Sequence, residues 1–195
     1  TLLMAGWFDP FLPTQIEDFT NIITHAKEEI ASETRLIIGP WGHATSVKLP
    51  GTQKALPYRR ESIAPSIPWF DHQFGIGNDP LNMSRVKIYV MGENRWHDEN
   101  EWPLARTQYT SFYLHSNGAA NSLDGNGWLD NKVPKGEETP DRYVYNPLDP
   151  VPSAGGAMLG KRSGIQLQNA IESRPDVLVY TTPPLPEPVN VTGPV

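Results

Sequence analysis

A strand–helix–strand pattern at the start of the sequence constrains the fold more strongly than any other feature. Residues Thr1–Ala5 and Arg35–Ile38 are apolar segments of strand length. Between them, apolar side chains recur at spacings of three and four, which predicts one face of an amphipathic helix. This face consists of Ile16, Phe19, Ile22, Ile23, Ala26 and Ile30. A crossover of this kind almost always joins parallel strands, so the sequence predicts an α/β layer.

The predicted helix also carries a start signal. Thr14 to Glu17 fits a capping box, in which a threonine side chain and a glutamate side chain cap the first turn, and Pro13 precedes it. Glu17 and Asp18 are therefore expected in the first turn, where the helix dipole favours negative charge.

Each predicted strand is followed by a short segment that carries an ionisable side chain. Gly6–Phe11 follows the first strand and contains Asp9, and Gly39–His43 follows the second. Carboxyl ends of parallel strands meet at one edge of a sheet, so Asp9 and His43 are expected within hydrogen-bond reach although 34 residues separate them. A carboxylate that orients an imidazole, and an imidazole that accepts a proton, are two members of a serine hydrolase triad. Taken singly, an Asp before Pro commonly forms a turn, and the histidine could simply lie in a loop.

The second half of the sequence has a different pattern. From Arg85 onward, short segments rich in Val, Tyr and Thr alternate with Pro, Gly, Asn and Asp clusters, which predicts an all-β region. The predicted strands are Val86–Met91, Tyr109–His115, Arg142–Tyr145, Val177–Thr181 and Val189–Thr192. Gly75–Pro80 interrupts any helix and is typical of a linker, so a domain boundary is expected between residues 78 and 79.

Several segments, in order along nearly the whole chain, resemble the cocaine esterase and Xaa-Pro dipeptidyl-peptidase family of α/β-hydrolases. Gly-Trp-Phe-Asp at residues 6–9 and Gly-Pro-Trp-Gly-His at residues 39–43 resemble the family motifs that carry the triad acid and histidine. Downstream, residues 90–96, 101–104 and 145–153 match as well.

This resemblance implies an α/β region followed by an all-β region. Residues 1–78 would be the C-terminal part of an α/β-hydrolase domain, and residues 79–195 the N-terminal part of a jelly-roll, galactose-binding-like β-sandwich. Asp9 resembles the triad acid, His43 the general base, and Phe11 an aromatic residue that lines the acyl pocket in some relatives.

The family's serine nucleophile, oxyanion-hole donors and helical cap have no counterpart in this sequence, and no Gly-x-Ser-x-Gly segment occurs in it. We therefore expect a piece of a serine hydrolase that supplies the triad Asp and His and acts, in the intact protein, on small-molecule esters or Xaa-Pro peptides. The alternative is a non-catalytic β-sandwich that serves as a binding or interaction module.

Composition narrows the possible partners. The formal net charge is −6 and no run of Lys or Arg occurs, which argues against nucleic acid and anionic membrane surfaces as partners. The longest apolar stretches are far shorter than a membrane span. Cysteine is absent, which excludes disulfides and thiolate metal ligands. We expect neither a cofactor nor a metal.

A few remaining residues have competing interpretations. His97 stands beside Asp98 and Glu99, an arrangement more typical of a solvated acidic loop than of a metal site. His115 ends a predicted strand with no evident partner. Trp96 and Trp102 flank the acidic segment and predict either a sugar-stacking platform or buried packing, with the interface between the two domains favoured.

Overall fold

The chain forms two compact units. The computed structural model describes residues 1–43, 46–47, 56–57, 59–76, 82–160 and 162–192. The first unit comprises Thr1–Arg106, Gly155–Gln166 and Thr192–Val195, and the second comprises Thr107–Ala154 and Leu167–Val191. The predicted boundary between residues 78 and 79 falls outside the described residues and stays a prediction.

The first unit combines strands with helices. Its strands are β1 (Leu2–Phe8), β2 (Arg35–Gly42), β3 (Ser46–Val47), β4 (Leu56–Pro57), β5 (Val86–Val90) and β6 (Arg95–Glu99). Its helices are α1 (Leu12–His25), α2 (Glu28–Glu33), α3 (Arg59–Ile63) and α4 (Ser66–Gln73). None of these described helices is both long and apolar enough to cross a bilayer.

The main sheet has the order β1-β2-β5-β6 among the described residues. β1 and β2 pair in parallel, which confirms the predicted strand–helix–strand unit. β5, predicted as the first strand of the all-β region, pairs in parallel with β2 instead. β6 was not expected, because its charged residues predicted a loop. It forms an antiparallel hairpin with β5, and Gly92, at φ 92°, makes the positive-φ turn between them.

β2 is buried along its whole length and divides the core into two layers. Leu36 and Ile38 face a cluster that contains Phe19 of α1 and Trp102. Ile37 and Trp41 face the other side, where Tyr89 and Trp96 pack against them. Burial on both faces is typical of an inner parallel strand. Trp102 and Trp96 are thus packing residues within the first unit.

The helical segment departs from the prediction at both ends. α1 begins at Leu12 with Pro13 in its first turn and Phe11 as an N-cap without a side-chain hydrogen bond, so the predicted capping box at Thr14 is wrong. The first turn contains no acidic residue, since Glu17 and Asp18 lie beyond it. Pro13 is tolerated there because the first backbone N–H groups of a helix have no intrahelical acceptor.

The predicted apolar face also ends earlier than expected. The chain leaves the helix at Ala26, which caps α1 in an extended conformation, and turns into the separate helix α2. Ile30 of α2 is therefore 46% exposed instead of buried. Phe19, fully buried, and its neighbours Ile16 and Ile23 form the part of the face that packs on the sheet.

The second unit contains less regular structure than predicted. β7 (Tyr113–His115) and β8 (Trp128–Asp130) form an antiparallel pair, and α5 (Asn169–Glu172) is a single turn. Two of the predicted strands, Arg142–Tyr145 and Val189–Thr192, are not strands, and their Val and Tyr side chains are largely exposed. A strand needs a neighbour with matching backbone groups, and β propensity alone does not supply one.

Partly buried polar contacts connect segments of the second unit. The Asp141 carboxylate accepts hydrogen bonds from the Ser116 hydroxyl (2.7 Å), the Ala120 backbone N–H (2.8 Å) and the Tyr180 hydroxyl (2.5 Å). The hydrogen bond to Asp141 raises the pKa of Tyr180 to about 12. The Asp141 side chain thus connects its own segment to two others, residues 116–120 and Tyr180.

Candidate active site

Asp9 lies in the turn between β1 and α1. The turn is closed by a hydrogen bond from the Asp9 backbone N–H to the Gly6 carbonyl (2.9 Å). The carboxylate uses both of its oxygens: Oδ1 accepts the backbone N–H of Phe11 at 3.0 Å, and Oδ2 faces Nδ1 of His43 at 3.3 Å. Its side chain is only 15% exposed, so the turn holds the carboxylate in one orientation.

His43 follows the last residue of β2, and an irregularity in the sheet brings it beside Asp9. Gly6 pairs with Gly39, but Phe8 pairs with Gly42, so β2 contains one more residue than β1 between these pairs. In a regular register, Asp9 would lie opposite Gly42. The bulge instead aligns Asp9 with His43. Pro40, which has no N–H to donate to a ladder, lies within the bulge, a position where proline is tolerated in sheets.

The contact between the two side chains defines the protonation pattern of the neutral imidazole. A carboxylate only accepts hydrogen bonds, so Nδ1 must carry the proton that points at Asp9. Nε2 then keeps its lone pair, and none of the described residues makes a hydrogen bond with it. The His43 side chain is 54% exposed, which leaves this nitrogen accessible to a reacting group. Such a pair can accept and return a proton.

Phe11 lies on the same side as the imidazole. Its ring meets the His43 ring edge to face, with 5.3 Å between the centroids, and is 50% exposed. The structure therefore brings together all three residues that the sequence singled out: Asp9, His43 and Phe11. The acyl-pocket role of Phe11 stays a prediction.

Two features beside the pair were not foreseen from the sequence. Trp41 packs directly over Gly6 and Gly39, where any side chain would overlap it. Ser163, buried at 8% exposure, lies against Gly42, where an added Cβ would be 2.6 Å from its hydroxyl oxygen. Gly6, Gly39 and Gly42 could have signalled from the sequence that backbone segments approach closely here. Nothing in the sequence identified Ser163 as the residue that packs against Gly42.

Two histidines outside this site, His97 and His115, have partners that the sequence did not reveal. His115 is buried in the second unit, and its Nδ1 lies 2.6 Å from Oε1 of Glu138, so the expectation of no partner is wrong. Nε2 of His97 lies 3.0 Å from Glu93. Among the described residues, no group of three or more His, Asp or Glu side chains is arranged to hold a metal ion.

Comparison with known proteins connects this site to a family. The sequence model of the X-Pro dipeptidyl-peptidase C-terminal non-catalytic domain matches residues 81–195, which is more than half of the chain. That domain is a β-sandwich, consistent with the sheets of the second half. The chain is also 37% identical over 201 residues to a cocaine esterase from Rhodococcus sp. (strain MB1 Bresler).

The alignments cover nearly all of this chain but only part of each relative. The alignment with the cocaine esterase includes 100% of this chain but 34% of that protein. The chain thus spans about a third of the length of the curated relatives it matches, or somewhat less.

A solved structure agrees at the level of the fold. The crystal structure of an aminopeptidase from the marine sediment archaeon Thaumarchaeota archaeon superimposes with a TM-score of 0.67 at 24% sequence identity. The superimposed region includes 98% of this chain and 32% of the aminopeptidase chain. Since the family model and the esterase alignment agree along the chain, this protein belongs to the cocaine esterase and Xaa-Pro dipeptidyl-peptidase family.

Proposed function

We propose that the intact protein is a serine hydrolase of the α/β-hydrolase fold, and that Asp9 and His43 are two members of its catalytic triad. The observation that carries this proposal is the 3.3 Å distance between Nδ1 of His43 and Oδ2 of Asp9, at the carboxyl ends of two adjacent parallel strands. In α/β proteins this edge of the sheet is where reacting groups gather.

The two residues have different roles in the proposed reaction. Nε2 of His43 takes the proton from a serine hydroxyl as that serine attacks the substrate carbonyl, and later returns the proton to the leaving group. Asp9 holds the imidazole in the required tautomer and stabilises its protonated form. The serine belongs to a part of the intact protein outside this sequence, because no Gly-x-Ser-x-Gly segment occurs here.

The proposed substrates are esters of small acyl groups, with Xaa-Pro peptides as the second class. The identity of 37% to a cocaine esterase favours esters, whereas the similarity to the aminopeptidase concerns the fold alone. Phe11, half exposed and in edge-to-face contact with His43, would border the acyl group of the bound substrate.

The domain organisation is part of the proposal. Residues 1–78 would complete the hydrolase domain, and residues 79–195 would begin a jelly-roll β-sandwich. The match to the C-terminal non-catalytic domain, which begins at residue 81, supports this division.

Substitutions at the pair test the proposal in the intact protein. His43→Ala should abolish ester hydrolysis, and Asp9→Asn should lower kcat by about 10⁴-fold, the size of the loss when the triad acid of a serine protease becomes its amide. The measurements are steady-state kinetics with p-nitrophenyl esters and covalent labelling with a fluorophosphonate probe. His25→Ala, a histidine at the end of α1, is the matched control and should keep the wild-type rate.

Retention of near-full activity by Asp9→Asn would contradict the assignment of the acid. Fluorophosphonate labelling of a serine within this sequence would contradict the assignment of the nucleophile to another part of the protein.

The matched family model also supports a second candidate, in which the all-β half is a binding or interaction module, because its description is a non-catalytic domain. The two candidates differ in a measurable way. A module should bind a glycan or protein partner with unchanged affinity in the His43→Ala variant, and a glycan array probed with the wild-type and variant chains would reveal it.

A further inference from the structure

A cavity lies in the first unit, on the sheet face opposite α1. Its volume is about 570 Å³, within the range of small-molecule sites. Its apolar lining consists of Ile37 of β2, Trp96 of β6, Ala64, Pro65 and Met83. Most of the surface that a ligand would contact is therefore apolar, with one aromatic ring.

This cavity is separate from the Asp9–His43 pair. Ile37 lies five residues before Gly42 on β2, which corresponds to about 17 Å along the strand. The other strand-borne lining residues are Lys87 of β5 and Trp96 and Asp98 of β6. Occupancy of the cavity does not depend on the proposed hydrolase function.

The charges around the cavity are unbalanced. Lys87 Nζ lies 3.7 Å from Oδ1 of Asp98, and the same oxygen accepts the Ser84 hydroxyl at 2.7 Å. Lys87 and Asp98 thus form an ion pair with each other. Glu61, an exposed residue of α3 in the lining, makes no ion pair or hydrogen bond with any described residue. The lining therefore carries one excess negative charge.

Trp96 already accepts a cation on its ring. Nζ of Lys87 lies 5.9 Å from the ring centroid, a distance at which the ring quadrupole attracts positive charge. Arg35 does not line the cavity, because its guanidinium binds the backbone carbonyls of Met83, Ser32 and Thr34. No described cation in the lining is placed to neutralise Glu61.

We propose that this cavity binds a small organic cation, an ammonium group on an aromatic or short aliphatic body. The apolar body lies against Trp96, Ile37 and Met83, and the ammonium group pairs with the Glu61 carboxylate. An anion of the same shape would face Glu61 and would compete with Asp98 for Lys87, so the lining selects for positive charge.

Three probes of matched shape test the proposal: benzylammonium, benzyl alcohol and benzoate. We expect benzylammonium to bind at millimolar concentration or below and about two- to fivefold more tightly than benzyl alcohol, the gain expected for one exposed ion pair, and benzoate not to bind. Equilibrium dialysis gives the dissociation constants. NMR shifts of the Trp96 indole and the Met83 methyl group locate the site.

Two variants assign the binding to the cavity. Glu61→Gln removes the excess charge without a change of size and should reduce benzylammonium binding to the level of benzyl alcohol, whereas Ala64→Phe should block both benzylammonium and benzyl alcohol. Glu17→Gln, on the exposed side of α1, is the charge-matched control and should bind like the wild type. Benzoate binding as tight as benzylammonium, an unchanged dissociation constant in Glu61→Gln, or no benzylammonium binding at millimolar concentration would overturn the proposal.

Discussion

At the scale of single residues, two glycines allow the close packing that supports the Asp9–His43 pair. Trp41 occupies the space above Gly6 of β1 and Gly39 of β2, and an added Cβ at either position would overlap it. Trp41 itself is 3% exposed and contacts Trp96, with 5.8 Å between ring centroids. At Gly6 an added Cβ would meet the Trp41 backbone carbonyl as well as its indole ring, so a rotation of the side chain alone would not relieve the overlap.

Gly6→Ala should therefore destabilise the protein by about 3 kcal/mol or more, at or above the upper end of what overpacking a core typically costs, because the added Cβ would lie well inside van der Waals contact with the Trp41 carbonyl oxygen. Gly136→Ala is the control, since an added Cβ there meets nothing within 4 Å, and its effect should stay within about 0.5 kcal/mol of the wild type. Urea unfolding measures both. A Gly6→Ala variant as stable as Gly136→Ala would show that Trp41 does not pack over this glycine.

At the scale of elements, the sequence predicted the pairing of β1 with β2 but not the detail that aligns the site. The two apolar segments and the helical spacing between them were enough to predict that β1 and β2 pair in parallel. They were also enough to predict that the loops after these strands lie at one edge of the sheet. The bulge at Pro40 that shifts His43 opposite Asp9 occurs where Trp41 packs against Gly6 and Gly39, a tertiary contact that strand and helix patterns do not predict.

The same limit explains the missed strand β6. Its residues are mostly charged, and only the pairing with β5, together with the burial of Trp96 against Tyr89, makes this segment a strand. Conversely, Tyr143, Val144 and Tyr145 have high β propensity but stay exposed without a strand partner.

The β7–β8 pair contains a histidine that should make stability depend on pH. Nδ1 of His115 faces Glu138 at 2.6 Å, and Nε2 faces the Lys132 carbonyl at 3.1 Å and Asp130 at 3.4 Å. Both nitrogens thus face acceptors, which only the protonated ring can satisfy as a double donor. The hydrogen bond to Glu138 is the main reason that the pKa of His115 is raised above its ordinary value of 6.5.

A raised pKa means that the folded state holds the proton more tightly than the unfolded state. The stabilisation is complete below pH 6.5 and disappears as the pH rises through the higher pKa of the folded state. We expect the melting temperature of the wild type to fall over this interval relative to that of His115→Gln, which lacks the titrating group.

Differential scanning calorimetry between pH 5.5 and 8.5 measures the melting temperatures of the wild type and of His115→Gln. The quantity to compare is the change of melting temperature with pH, not the melting temperature itself. His25→Gln should keep the wild-type slope. Parallel pH profiles for the wild type and His115→Gln would contradict the role assigned to His115.

At the scale of the whole molecule, the matched family domain and the compact units do not coincide. The family model begins at residue 81, yet β5 and β6 belong to the sheet of the first unit. Gly155–Gln166, also within the match, returns to the first unit and brings Ser163 against Gly42, next to His43. Residues of the family's non-catalytic domain therefore support the backbone that carries the candidate base.

The central claim is that a carboxylate and an imidazole act as one catalytic group, and a double-mutant comparison in the intact protein tests it most directly. If Asp9 acts only through His43, the kcat/KM of the double variant Asp9→Ala/His43→Ala should equal that of His43→Ala within about threefold, because groups that act as a unit are strongly non-additive. Losses that multiply in the double variant, or an Asp9→Ala variant with the wild-type kcat/KM, would contradict the claim.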